Sequence, residues 1–162
     1  MRIKFPLVTL VVAALAFLGG LAAAKTQQPH WKTMENLQTA MKGEAFAYAS
    51  YLLYAEEARK SGHPEIAELF ENTAKTERFE HFAQEAKLAG LVGTTQENLR
   101  KAIAGESYEA STMYKNFADE AASLEDHAAA ERFEEIRHDE MKHRDSFQAA
   151  LDKLEQSRPG QK

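Results

Sequence analysis

The chain of 162 residues contains no cysteine. That absence excludes disulfides, thiolate metal sites, a catalytic thiol and a lipid-modified cysteine anchor. Only four prolines and eight glycines occur, mostly between segments of helical periodicity, so the composition predicts an all-α protein. The net charge is −5, and there is no basic patch with interleaved aromatic residues, which argues against nucleic acid as a partner.

Long apolar runs are also absent, except at the N-terminus. Arg2 and Lys4 precede an apolar run over 7–18, and three alanines at 22–24 provide a small-residue cleavage site. This layout is typical of a secretory signal peptide, so we expect residues 1–24 to be removed. The alternative is an uncleaved membrane anchor. After cleavage the protein would be exported, periplasmic in a bacterium with two membranes, and not bound to a membrane.

The last predicted helix, residues 130–155, carries an ionisable pair within an apolar stripe. The pair is Glu140 and His143, whose i, i+3 spacing places a carboxylate beside an imidazole. Burial of such a pair is costly unless a bound ion compensates its charge. Glu135 and His138 have the same spacing on the opposite face, where we expect them to be solvated. The stripe comprises Phe133, Ile136, Phe147, Leu151 and Leu154.

Each of the other predicted helices also has an acidic residue at the centre of its apolar stripe. These acids are Glu44 in the first helix, Glu77 in the second, and Glu106 followed by Glu109 in the third. The first helix is expected at about 33–61 and the second at 64–90. A capping box at Thr94 and Glu97 begins the third helix, and Ser123 is expected to cap the fourth. The expected segments are a flexible lead-in (25–32), the helical domain (33–156) and a tail (157–162).

The two halves of the chain repeat each other. Asn36-Leu37 and Gly43-Glu44 recur 62 residues later as Asn98-Leu99 and Gly105-Glu106, whereas Phe70 and Glu77 recur 63 residues later as Phe133 and Glu140. Each half is therefore predicted to be a helical hairpin, and two packed hairpins would bring the four acids to one level. A plain bundle with acids at a solvated edge is the alternative. Related acids at the centre of four stripes favour a two-metal site, as in di-iron carboxylate bundles.

Residues 33–155 resemble the ferritin-like domain of the rubrerythrin family. The matching phrases are Asn36-Leu37 to Gly43-Glu44, Phe70 to Glu77, Gly105-Glu106-x-x-Glu109 with Met113-Tyr114, and Glu140-x-x-His143. The resemblance implies a ferritin-like four-helix bundle that binds two iron ions. It also implies a set of iron ligands: Glu44, Glu77, Glu106, Glu140 and His143. By the same resemblance Glu109 is the extra carboxylate that exchanges places with a second-helix histidine when iron changes oxidation state.

Two features depart from the family pattern. A gapless alignment of the two halves puts Glu80, not a histidine, at the second-helix ligand position, and His81 follows it. Leu88 stays in register with Leu151, which favours Glu80 as a ligand. His81 remains the alternative, because it shares a face with Glu77 at i, i+4. The family's cysteine-ligated rubredoxin module is also missing, so the resemblance implies a separate electron donor.

The resemblance implies a di-iron oxidoreductase that reduces hydrogen peroxide to water, and the expected signal peptide implies that it is exported. Tyr51 and Tyr114 are candidate hydrogen-bond donors to the ligand carboxylates. The alternatives are a ferroxidase or iron-binding and storage protein without peroxidase turnover, and a structural helical dimer. Residue spacing alone indicates only a two-metal site with oxygen ligands.

The short segment between the second and third helices predicts a helix-exchanged homodimer. In the ferritin-like arrangement these two helices run parallel, so their connector must return along the bundle. The helix beyond Glu77 and the helix before Glu106 together span roughly 36 Å at 1.5 Å per residue. The residues at 91–94 extend about 18 Å at most. Either the ends of both helices unwind, which would expose Leu88 and Leu99, or the third and fourth helices cross to a partner chain. We expect the exchange with a partner chain.

Overall fold

The computed structural model describes residues 29–157. The expected signal peptide, most of the lead-in and the tail after residue 157 lie outside the described residues. The described chain forms four long helices, and the expected all-α class is confirmed. They are α1 (Trp31–Lys60), α2 (Pro64–Thr76, Glu77–His81 and Phe82–Ala89), α3 (Thr95–Tyr108, Glu109–Met113 and Tyr114–Ser123) and α4 (His127–Gln156).

Helices α1 and α2 form the first hairpin. The expected lead-in is two residues too long, because His30 caps α1 with its ring nitrogen, which accepts a hydrogen bond from the Lys32 N–H. The turn after Lys60 uses Gly62 at φ 82°, a conformation that side chains with a Cβ rarely adopt. Pro64 then occupies the first turn of α2, where its missing N–H breaks no hydrogen bond.

Helices α2 and α3 each contain one wide turn. The Phe82 N–H bonds to the Glu77 carbonyl, and the Tyr114 N–H bonds to the Glu109 carbonyl, so both turns have the i to i+5 pattern of a π-helix. Each π turn accommodates one extra residue within a single turn of the helix, so the residues after it are rotated relative to a regular α-helix. Such turns are frequent at functional sites.

The π turns explain why the repeat of the sequence changes between 62 and 63 residues. Glu44 corresponds to Glu106 at 62, but Tyr51 corresponds to Tyr114 at 63, because the π turn of α3 lies between them. The expectation that Leu88 shares a register with Leu151 is wrong. Leu88 is 64% exposed and Leu151 only 6%, because the π turn of α2 rotates every residue that follows it.

The connector between the hairpins is tied to the first turn of α3. Thr94 and Glu97 form the predicted capping box, in which each side chain bonds to the other residue's N–H. The Gly93 N–H donates to Asn98 Oδ1 at 2.9 Å, and Asn98 Nδ2 donates to the Gly93 carbonyl at 3.0 Å. Lys101 Nζ adds a bond to the Leu91 carbonyl at 2.9 Å. Both helix ends therefore stay wound, and the connector has one defined conformation.

The turn between α3 and α4 differs from the expectation. Ser123 is the last residue of α3, and its hydroxyl donates to the Glu120 carbonyl at 2.7 Å. Asp126 is the N-cap of α4, after Glu125 at φ 61°. The sequence pattern misplaced the cap because serine satisfies backbone groups at either end of a helix.

Each hairpin packs only on itself. α1 contacts all three parts of α2, and α4 contacts all three parts of α3, whereas no element of residues 29–90 contacts an element of residues 95–157. Most of the buried side chains are alanines, and Met41 and Leu151 are the largest of them. None of the helices between residues 29 and 157 is both long and apolar enough to cross a membrane.

Candidate metal centre

The first hairpin brings together two carboxylates and one imidazole. His81 Nδ1 lies 2.7 Å from Glu77 Oε2 and 3.8 Å from Glu44 Oε2. The side chains of Glu77 and Glu44 are 14% and 25% exposed, and that of His81 is 52% exposed. One ligand atom from each of the three residues lies within 4.8 Å of the others, a spacing that suits a metal ion.

The second hairpin repeats this group in nearly the same geometry. His143 Nδ1 lies 2.7 Å from Glu140 Oε2 and 3.6 Å from Glu106 Oε2. Glu140 and Glu106 are 14% and 22% exposed, and His143 is 58% exposed. These two groups, hereafter the first and second triads, are the groups of potential metal ligands in the described part of the chain.

One carboxyl group in each triad, Glu44 in the first and Glu106 in the second, has a raised pKa. Burial raises the pKa of Glu44, and a hydrogen bond to Glu77 raises it further because the two carboxyl groups share a proton. Burial likewise raises the pKa of Glu106, followed by a hydrogen bond to Glu140 and the charge of Glu109. Like charges held this close favour the binding of a cation.

A proton on His143 is also stabilised. The hydrogen bond to Glu140 raises the pKa of His143, and the charges of Glu140 and Glu106 add to that effect. An imidazolium here neutralises part of the carboxylate charge in the absence of metal. A metal ion bound by the same nitrogen would replace that proton, so binding and deprotonation compete.

One buried carboxylate oxygen of the second triad makes no hydrogen bond. Glu106 Oε2 is buried and accepts no hydrogen bond from any described residue. An unsatisfied buried carboxylate oxygen costs free energy unless a cation or water compensates it. Oxygen and imidazole donors in this ratio suit iron, as in the carboxylate bundles with one Glu-x-x-His on each of two helices. The residues present therefore fit a two-metal centre.

The structure brings His81, and not Glu80, to the first triad. Glu80 is exposed and is absent from the groups of potential ligands within residues 29–157. The cause is the π turn, which begins at Glu77 and widens the helix so that residue i+4 takes the place of i+3. The gapless alignment could not reveal this turn, although the one-residue displacement of His81 was its signal.

The remaining predicted residues lie around the triads without joining them. Glu109 is half-buried at the first position of the π turn in α3, and its charge raises the pKa values of Glu106 and of Tyr114. Burial is the main cause of the raised pKa of Tyr114. Neither Tyr114 nor Tyr51 hydrogen-bonds to a carboxylate among residues 29–157. Glu135 and His138 lie on the exposed face of α4, as predicted.

Each hairpin also contains an aromatic cluster, which the sequence pattern did not predict. In the first hairpin the rings of Tyr51 and Tyr54 pack against Phe70, with centroids 5.9 and 5.4 Å away. In the second hairpin Tyr114 and Phe117 pack against Phe133, at 6.2 and 5.6 Å. The three positions are related by 63 residues, so the repeat itself was the available signal.

The chain is similar in sequence to rubrerythrins. The family model described as Rubrerythrin matches residues 35–90 and 78–151. A rubrerythrin from Porphyromonas gingivalis is 35% identical over 136 residues, which cover 76% of this chain and 68% of that protein. A nigerythrin from Nitratidesulfovibrio vulgaris is 31% identical, covering 76% of this chain and 67% of that protein. A solved structure of fully reduced, all-ferrous nigerythrin is 28% identical, covers 85% of this chain and 74% of that one, and gives a TM-score of 0.41.

Proposed function

The chain belongs to the rubrerythrin family, and from this premise we propose that it reduces hydrogen peroxide to water at a di-iron centre. Membership supports the ferritin-like fold, a pair of iron ions and the general role of a di-iron oxidoreductase. The peroxidase reaction itself, the export of the protein and its external electron donor are parts of the proposal.

The observation that carries the proposal is the pair of matching triads. Each supplies two carboxylates and one histidine, at 2.7 Å from histidine to the nearer carboxylate in both cases. We assign Glu44, Glu77 and His81 to one iron-binding group. Glu106, Glu140 and His143 form the other, and Glu109 is the carboxylate next to it. Glu80 is not part of this assignment, because it lies outside the first triad.

A pair of bound ferrous ions would supply two electrons together, so that peroxide is reduced without release of a one-electron radical. One hydrogen peroxide takes up two electrons and two protons and gives two water molecules. The chain's part is to hold the carboxylates at short distances and to retain a proton donor nearby. Tyr114 keeps its O–H as a hydrogen-bond donor, because burial and the charges of Glu109 and Glu140 raise the pKa of its phenol.

We propose that the electrons come from a separate carrier. The chain contains no cysteine and therefore no thiolate iron site that could pass electrons to the centre. The apolar segment at 7–18 with its flanking residues supports export and a periplasmic location, where the donor would also have to be found.

Anaerobic loading with ferrous iron, followed by a stoichiometric addition of peroxide, tests the proposal. We expect rapid oxidation of two irons for each peroxide, and full re-reduction by a one-electron donor over many cycles. A faster reaction with oxygen, with ferric ions accumulating beyond two for each centre, would instead indicate a ferroxidase or storage protein. Failure to bind two irons tightly would contradict both functions and leave a structural role.

A further inference from the structure

Each hairpin leaves its site-bearing face incompletely covered. Helical spacing places Ile66 on the face of Glu77, yet it is 41% exposed, and Phe117, which packs against Phe133 beyond the π turn of α3, is 40% exposed. No large side chain of residues 29–157 is fully buried. Two-helix layers of this kind need a second layer to form a core.

The two triads are half-sites that one chain keeps apart. Glu77 belongs to the first hairpin and Glu140 to the second, and no helix of one hairpin contacts a helix of the other. A centre that holds two metal ions between four acidic helices therefore cannot form within one chain in this conformation. The missing half of each site is present on a second copy of the same chain.

The connector prevents the hairpins from folding onto each other. α2 remains helical to Ala89 and α3 is helical from Thr95, so unwinding does not lengthen the link. Returning along the bundle would require roughly 36 Å at the helical rise. The connecting residues reach about 18 Å at full extension. The bonds of Gly93 and Leu91 to α3 shorten that reach further.

We propose that two chains exchange their second hairpins, so that each metal centre is composite. The first triad of one chain would face the second triad of its partner, and the uncovered faces would be buried together. The exchange follows from packing and chain length alone. The statement that the composite site holds two iron ions rests on the proposed function.

Two glycines support this arrangement independently. Gly43 and Gly105 each precede a triad acid in the middle of a helix, and a Cβ added to either would meet nothing within 4 Å. Glycine weakens a helix, and no contact inside the chain requires it here. Helical spacing places Gly43 near Ala40 and Ala47 and opposite Met41, which is buried in the first hairpin. Close approach of a partner helix in the exchanged dimer would account for both glycines.

Mixing two defective chains tests the composite site. A chain with Glu44→Ala and one with Glu140→Ala are co-expressed with different affinity tags, and the heterodimer is isolated and loaded anaerobically with ferrous iron. Under exchange one site receives both lesions and the other receives neither. We expect half of the iron that the wild-type dimer binds.

The matched control pairs Glu44→Ala with Glu77→Ala, which both lie in the first hairpin. Exchange then gives each site one lesion, so we expect almost no iron. If the Glu44→Ala with Glu140→Ala heterodimer binds as little iron as this control, exchange is contradicted while iron binding by the wild type still supports the proposed function.

A crosslink tests exchange without any metal. The chain lacks cysteine, so Gly43→Cys and Gly105→Cys introduced together provide the only thiols. Treatment with a bismaleimide should give a covalent dimer on a denaturing gel. A chain crosslinked to itself, or a wild-type protein that sediments as a monomer, would overturn the exchange even if iron loading failed for another reason.

Discussion

His81 Nδ1 lies 2.7 Å from a carboxylate oxygen of Glu77, the same distance that separates His143 from Glu140. The first pair is four residues apart in sequence and the second pair three. The π turn that begins at Glu77 absorbs the difference, so two different spacings produce one geometry.

This relationship predicts different effects for two adjacent substitutions. His81→Ala should reduce iron loading by more than about tenfold. Removal of a residue that only hydrogen-bonds to a metal ligand already lowers metal affinity by about 10–100-fold, and His81 is itself assigned as a ligand. Glu80→Ala should leave loading nearly unchanged, because its side chain is exposed outside the triad. Iron bound per chain after anaerobic loading and desalting measures both. A greater loss from the Glu80 variant would show that the geometry of α2 changes on metal binding.

The two Glu-x-x-His pairs of α4 predict a second contrast. Glu140→Ala should remove most of the iron, since it deletes the least exposed carboxylate of the second triad. Glu135→Ala has the same chemistry on the solvent face, where Glu135 pairs with Arg132 at 2.7 Å. That variant should bind iron like the wild type. Equal loss of iron from both variants would contradict the assignment of faces.

The raised pKa values predict that metal affinity increases with pH. Without metal, the pKa values of Glu44 and Glu106 lie above their usual 4.5, and the pKa of His143 lies above its usual 6.5. A divalent metal must displace these protons, so binding should release protons and strengthen as pH rises. Titration calorimetry in buffers of different ionisation enthalpy measures the release.

The same shifts predict how the metal-free protein responds to pH. For Glu44 and His143 the folded chain binds the proton more tightly than the unfolded chain does. The stability that they contribute is present at low pH and is lost as pH rises above about 4.5 for Glu44 and about 6.5 for His143. Thermal unfolding of the metal-free protein should therefore shift to lower temperature over this range. A shift to higher temperature would contradict the direction of the pKa changes.

The alanine-lined interface of the first hairpin predicts a cost of overpacking. Ala74 is fully buried between α1 and α2, so Ala74→Leu should lower the free energy of unfolding by about 1–3 kcal/mol. Ala149 is exposed on α4, and Ala149→Leu should change it by less than about 0.5 kcal/mol. Urea unfolding measures both. Similar values for the two variants would contradict the tight packing of the hairpin.

Several features could be predicted from the sequence because they depend on local rules. The capping box at Thr94 and the solvated face of Glu135 follow from residue type and helical spacing. The connector length already indicated that the hairpins do not fold onto each other. The family resemblance, rather than spacing, supplied the iron and the reaction.

The π turns could not be predicted, because a wide turn costs little locally and is selected by its surroundings. The 3.6-residue periodicity continues on both sides of Glu77, so the alignment kept Glu80 and Leu88 in a register that the structure does not have. The aromatic clusters were missed for a different reason. Residue type suggests only that Tyr51 and Tyr114 donate hydrogen bonds, whereas each ring packs against a phenylalanine of its own hairpin.

The most direct test is to locate iron by anomalous diffraction in crystals of the ferrous-loaded protein. We expect two iron peaks close together in each centre, one group of ligands formed by Glu44, Glu77 and His81 and the facing group by Glu106, Glu140 and His143. Iron beside Glu135 and His138, or one isolated ion at each triad with the hairpins still apart, would contradict a di-iron centre built from the two triads.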